Sequence, residues 1–210
     1  MENKFGFVSL SGRTNVGKST LLNAFFQKKI AITSRKPQTT RNRILGILTE
    51  EKSQIVFLDT PGVHLGYKRQ LNKVMNKIAS HCYEEVDLVL FLIDRFKWQK
   101  EEENILKSLK NLNKPVVLVI NKIDRLRDKT RLLAFIKDIS EKFNFLSIVP
   151  ISALKKDNLM ELKSVILNNL EIGPYHFPED SLTEFSDNFF ISEIIREKAI
   201  NRLGDESVSY

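Results

Sequence analysis

A single cysteine, Cys82, denies this chain any internal disulfide, which suits a reducing compartment. No catalytic partner stands near it in sequence, so it reads as a buried structural thiol. Long apolar runs are missing as well. Nothing approaches the roughly 18 apolar residues that suggest a membrane span. Met1–Lys4 leads straight into the first apolar run, so no signal peptide is expected and the chain reads as cytoplasmic. With 8 glycines and 6 prolines in 210 residues, it is neither collagen-like nor of low complexity. Acidic charge falls short of basic: 26 Asp and Glu stand against 33 Lys and Arg, a net charge of +7, which favours an anionic partner such as RNA or a lipid surface. What is present, 42% hydrophobic residues, suffices for the core of one domain of ordinary size.

Short apolar runs alternate with amphipathic stretches. Strands are expected at Phe5–Ser11, Ile44–Thr49, Gln54–Leu58, Asp87–Ile93, Pro115–Ile120 and Ser147–Ile151. Helices are expected at Ser19–Phe26, Gln70–His81, Lys100–Leu112, Thr130–Phe143 and Asn158–Leu170. Val116–Ile120 is apolar throughout, as a strand covered on both faces requires. The alternation argues for an α/β domain with a mixed, mostly parallel sheet and helices on both faces. From Ile172 the sequence holds a Gly and two Pro without period and reads as a linker. Asp187–Leu203 turns helical again, too short to bury an apolar face alone.

Five motifs follow one another along this frame. Gly12-Arg13-Thr14-Asn15-Val16-Gly17-Lys18-Ser19 is a phosphate-binding loop between a strand and a helix. Its two glycines let the backbone wrap closely around phosphates, and its N–H groups and the helix start face negative charge. Lys18 would reach the β- and γ-phosphates, Ser19 would give a hydroxyl to Mg²⁺, and Thr20 continues the helix start. Asp59-Thr60-Pro61-Gly62 follows a strand; Asp59 would hold Mg²⁺ through water and the Gly62 N–H would sense the γ-phosphate. Asn121-Lys122-Ile123-Asp124 selects guanine over adenine, because the Asp124 carboxylate accepts from guanine N1–H and its amino group. Asn121 would brace the loop and reach the base edge, and the Lys122 stem would cover the ring. Ser152-Ala153, after the last strand, would offer the Ala153 N–H to guanine O6. Together these residues imply GTP or GDP with Mg²⁺.

Between the first helix and second strand, Ser34–Arg41 reads as a switch loop in which Thr40, rather than Thr39, completes the Mg²⁺ shell. Arg35, Lys36, Arg41 and Arg43 make this loop basic. Val63 stands where Ras-like enzymes carry a water-orienting Gln and cannot polarise water. Asn15 is therefore a catalytic candidate beside Lys18 and Thr40, because its amide oxygen could help hold a monovalent cation near the phosphates. His64, His81 and His176 lack sequence partners, and Trp98 and Phe96, among basic residues, read as packing groups.

The chain resembles the Era family, in the TrmE–Era–EngA branch of GTPases. The resemblance is carried by Gly12–Asn23, Thr33–Arg41, Asp59–Gly62, Asn144–Ala153, His176–Asp180 and Ser192–Lys198, with Thr14 departing from the family's usual Pro. It implies a GTPase domain over residues 1–171, a linker over 172–183 and the beginning of an RNA-binding KH domain over 184–210. It also implies a monomer that acts in maturation of the small ribosomal subunit through its 16S ribosomal RNA, with peripheral inner-membrane association, and it matches Asn15 to a potassium-binding position. No Gly-x-x-Gly loop follows Leu170, so an N-terminal part of a longer protein is expected. A GTP-dependent RNA- or membrane-binding module with negligible turnover, and an inactive fragment, are the alternatives the sequence leaves open.

Overall fold

The computed structural model describes residues 3–27, 44–59, 86–126, 128 and 130–179, with the backbone alone at 44, 45 and 59. The elements run β1 (Lys4–Ser11), α1 (Lys18–Phe26), β2 (Ile44–Glu50), β3 (Ser53–Asp59), β4 (Leu88–Asp94), α2 (Lys100–Lys110), β5 (Val116–Asn121), α3 (Thr130–Ser140), β6 (Ser147–Pro150), α4 (Leu159–Asn168) and β7 (Glu171–Ile172). The expected helix at Gln70–His81, the switch loop at Ser34–Arg41 and the segment 184–210 lie outside the described residues.

The strands form one sheet in the order β2-β3-β1-β4-β5-β6. Neighbours are parallel from β3 through β6, and β2 returns antiparallel on β3. Period-two alternation sends each strand's side chains to two separate cores. Leu88, Leu90 and Leu92 of β4, with Val117 and Val119 of β5, meet Leu21, Leu22 and Phe26 of α1 and Leu162 and Ile166 of α4. Val89, Phe91 and Ile93, with Val116, Leu118 and Ile120, meet Ile105, Leu106 and Leu109 of α2 and Ile139 of α3. Every residue of β4 and β5 is buried, which is why their sequences are apolar almost without a break. Trp98 packs edge-on against Phe91 at 6.0 Å, as its expected packing role requires.

This arrangement brings the carboxyl ends of β1, β3, β4, β5 and β6 to one edge, where ligands bind in sheets of this kind. Helix α1 begins there with Gly17 in a left-handed conformation and no side-chain cap. Helix α2 begins with a reciprocal cap: the Gln99 side chain meets the backbone of Glu102, and the Glu102 carboxylate accepts from Gln99 N–H at 2.9 Å.

The stretch after Leu170, expected as an unpatterned linker from Ile172, lies against the sheet as far as it is described. Glu171 and Ile172 pair antiparallel with Phe5 and Lys4 of β1. His176, without a partner in sequence, stacks on Phe5 with ring centroids 4.1 Å apart. Tyr175 Oη donates to the Glu50 carbonyl at 2.8 Å. The wholly buried Gln54 holds the segment by its backbone. Its Oε1 accepts from His176 and Phe177 N–H, both at 3.0 Å, while its Nε2 donates to the Phe177 carbonyl at 2.9 Å and to Thr49 Oγ1 at 3.0 Å. One amide thus does for residues 176–177 what a neighbouring strand would do. Period-based reading misses this contact because the partner of the backbone is a side chain over a hundred residues away.

Replacing Gln54 with Leu strips partners from three backbone groups of the exposed His176 and the half-buried Phe177, and a typical hydrogen bond contributes a net ~0.5–1.5 kcal/mol. Gln54→Leu is expected to lower unfolding free energy by roughly 2 kcal/mol in urea titration and to speed proteolysis between residues 171 and 179. A wild-type midpoint and cleavage pattern would show that the Gln54 clamp does not hold the segment.

Candidate functional site

The loop between β1 and α1 is shaped by places where no side chain fits. Gly12 has φ 144°, and a Cβ there would lie 2.4 Å from the Leu92 carbonyl oxygen of β4. Gly17 has φ 107°, and a Cβ there would lie 2.3 Å from Asn121 Nδ2. The loop is pressed against the ends of two neighbouring strands, which is the physical reason for glycine at both positions. Asn15, at the exposed tip, is itself left-handed with φ 61°. Val16 turns inward and is fully buried with α1 and the core beneath it. Lys18 curls back into the loop, where its Nζ donates to the carbonyls of Gly12 at 2.8 Å and Arg13 at 3.0 Å. Ser19 and Thr20 are half-buried at the first turn of α1.

Asn121, the last residue of β5, ties this loop to the next two. Its amide is 2% exposed. Nδ2 donates to the Val16 carbonyl at 2.7 Å; Oδ1 accepts from Lys122 N–H at 2.8 Å and from Ala153 N–H at 3.0 Å. The bracing role expected for Asn121 is therefore visible in geometry. The Ala153 N–H, expected to face guanine O6, is here turned to Asn121. Ser152, grouped by sequence with the base contacts, is fully buried. Its hydroxyl donates to Asp124 Oδ1 at 2.6 Å and accepts from Lys155 N–H at 3.1 Å. That leaves the exposed Asp124 carboxylate oriented by one oxygen, with the other directed by the same bond.

Lys122 has a left-handed backbone at φ 65°. Its ammonium crosses to the first loop, donating to the Asn15 carbonyl at 2.5 Å and to Asp94 Oδ2 at 3.0 Å. Arg13, expected among the loop's binding residues, contributes backbone only: its guanidinium is held by the start of α2. Nη1 donates to Gln99 Oε1 at 2.7 Å and lies 3.2 Å from Glu101, while Nε pairs with the fully buried Glu102 at 2.8 Å, without the alignment of a hydrogen bond. Thr14 is half-buried in the same loop.

Asp94 and Glu102 were invisible as site residues in the sequence. The available signals were a carboxylate closing an apolar strand and the Gln-x-x-Glu capping spacing at α2. Asp94 sits at the end of β4 in register with Asn121 and is 7% exposed. Burial works against its ionisation. Hydrogen bonds from Arg95 and Lys122, with their charges, outweigh that and hold the carboxyl below the usual carboxylate range. Its contribution to stability is therefore complete at neutral pH and is lost only as pH falls through that lowered value. Thr40, Thr60, Pro61, Gly62 and the side chain of Asp59 lie outside the described residues; the backbone of Asp59 ends β3 at the same edge as Asn121 and Gly12.

The chain matches known proteins along nearly all of this frame. A family model described as "50S ribosome-binding GTPase" matches residues 7–122. GTPase Era of Haemophilus influenzae is 50% identical over 201 residues, 96% of this chain and 67% of that protein. GTPase Era of Pasteurella multocida is 47% identical over the same length, 66% of its own. The chain thus spans about two thirds of these curated relatives. The crystal structure of Era in complex with MgGDPNP and nucleotides 1506–1542 of 16S ribosomal RNA superposes with a TM-score of 0.89 at 44% identity, covering 94% of this chain and 67% of that one. That of an Aquifex aeolicus Era variant bound to GDP and aluminium fluoride gives 0.88 at 44% identity, covering 93% and 67%. A glycine cradle pressed on two strand ends, an amide tying it to two further loops and this extent of identity lead to one conclusion: the chain belongs to the Era family of GTPases.

Proposed function

We propose that residues Gly12–Thr20, Asn121, Lys122, Asp124, Ser152 and Ala153 bind GTP or GDP with Mg²⁺, and that the chain hydrolyses GTP as a switch in maturation of the small ribosomal subunit. The observation that carries this reading is the Asn121 amide, which joins the phosphate loop to both base loops by three hydrogen bonds. The donor set fits the ligand. A cradle too tight for any Cβ at Gly12 and Gly17, an uncapped helix start and the Lys18 ammonium suit a polyphosphate. The Asp124 carboxylate, steadied by Ser152, suits the donor edge of guanine.

Lys18 and the loop N–H groups stabilise charge that develops on the phosphate oxygens during hydrolysis. Ser19, with Thr40 and Asp59, would hold Mg²⁺, which neutralises phosphate charge when bound. Val63 leaves water unpolarised, so unassisted turnover is slow, on the order of 10⁻⁴ to 10⁻² s⁻¹. In this reading Asn15 adds its amide oxygen to a potassium ion near the phosphates, which its position at the exposed tip of the loop supports. Thr40, Thr60, Pro61 and Gly62 complete the nucleotide-sensing set on sequence grounds.

The ribosomal role draws on the relative crystallised with 16S ribosomal RNA and on the net charge of +7. The same charge suits peripheral contact with anionic lipid at the cytoplasmic face of the membrane, and no described helix is long and apolar enough to cross one. Ribosomal RNA is the favoured partner because a structural relative holds it. In this reading the protein is a cytoplasmic monomer. Residues 1–171 form its GTPase domain, 172–183 the connection and 184–210 the start of a KH domain.

Hydrolysis is expected to run faster in potassium than in sodium, and Asn15→Ala should erase the difference; equal wild-type rates in both salts would remove the cation. Asp124→Asn is expected to weaken GTP and favour xanthosine triphosphate, and unchanged GTP affinity in a fluorescence titration would dismiss Asp124 as the base reader. Sedimentation with purified small ribosomal subunits should depend on whether GDP or a non-hydrolysable GTP analogue is present. Equal sedimentation with both would argue against the switch.

A further inference from the structure

Lys122 makes two contacts beyond its own loop, and only one belongs to the phosphate loop. Its Nζ donates to the Asn15 carbonyl and, at 3.0 Å, to Asp94 Oδ2. Asp94 is nearly buried, ends β4 beside the end of β5, and is ionised against the cost of burial. Its other oxygen accepts from Arg95 Nε at 2.8 Å, and Lys97 Nζ lies 3.9 Å from Oδ2. The Arg95 N–H in turn donates to the Asn121 carbonyl at 3.0 Å. One end of β4 is thus attached to the base-reading loop through both a side chain and the backbone.

A lysine stem carries substantial rotamer entropy, and one carbonyl at its tip would leave several conformers open. A buried carboxylate at the same tip removes that freedom, and hydrogen bonds to charged partners are the stronger kind. The stem must then run from the Lys122 backbone to that fixed tip, and its methylene groups are apolar. We propose that Asp94 is a positioning residue for guanine-nucleotide binding: it pins the Lys122 ammonium over the phosphate loop so that the Lys122 stem is laid out to cover the base. This rests on the nucleotide reading above. Asp94 touches no nucleotide in this scheme. It acts through Lys122, and its removal should slow nothing but should let bound guanine nucleotide leave faster.

The test is a double-mutant cycle on the full chain, read as dissociation of a fluorescent GDP chased by unlabelled GDP. Asp94→Asn should accelerate dissociation about tenfold, the scale of one lost charge-assisted hydrogen bond. Lys122→Met should accelerate it as well, and Asp94→Asn added to Lys122→Met should change nothing further, because the group it positions is gone. Arg95→Ala, which removes the hydrogen-bond donor to the other Asp94 oxygen, should stay within about twofold of wild type, well inside the effect of one such bond. If the Asn variant does not fold by circular dichroism, Asp94→Ser replaces it in the same cycle. The same acceleration in the Lys122→Met background, or wild-type dissociation from Asp94→Asn, would overturn the positioning role alone. Failure of the wild-type chain to bind the fluorescent GDP would overturn the nucleotide reading and this proposal with it.

Discussion

The candidate site depends on one buried amide. Asn121 closes β5, and its side chain reaches the first loop, its own loop and the last loop together. Each of its three bonds is to backbone, so it sets where main-chain atoms lie rather than what side chains do. Burial makes the arrangement demanding: an unpaired amide in that position would cost more than a bond contributes, so the loops hold together or not at all. The Gly17 backbone lies so close to Asn121 Nδ2 that no side chain fits at position 17 while Asn121 stands there.

That amide can do this because of the sheet beneath it. The two-sided burial of β4 and β5 fixes the height at which each strand ends, and the parallel register sets Asp94 beside Asn121. Charge is then layered around the apolar frame. Asp94 takes Lys122 and Arg95; the start of α2 takes Arg13. The two charged contacts approach the phosphate loop from the same connection, β4 to α2, which makes that connection part of the loop's support. Near the start of β3, Gln54 performs a similar service for residues 176–177, again by pairing one side-chain amide with backbone.

Much of this was legible in the residues alone. Period-two runs, a glycine-spaced loop and short motifs after strands report local chemistry, so the described helices, the strands β1 to β6, the tight turns at Gly12 and Gly17 and the bracing by Asn121 could be read from neighbours in sequence. Reading failed where a partner is distant. Nothing local tells that Arg13 faces Glu102, that the Ser152 hydroxyl donates to Asp124, or that the stretch from Ile172 is a docked edge with β7 at its start.

The sequence by itself determined the class of chemistry, because a phosphate loop, a guanine-selecting Asn-Lys-Ile-Asp and their order between strands each follow from residue type and spacing. It also determined the α/β layering, since hydrophobic period and strand length are local properties. Only the tertiary structure decided which polar groups are spent on holding the site and which face outward. That choice is made by burial and register: Asn121, Ser152, Asp94 and Glu102 lie where water cannot pair with them, so each must find a partner within the fold, and those partners are brought near only when the sheet assembles.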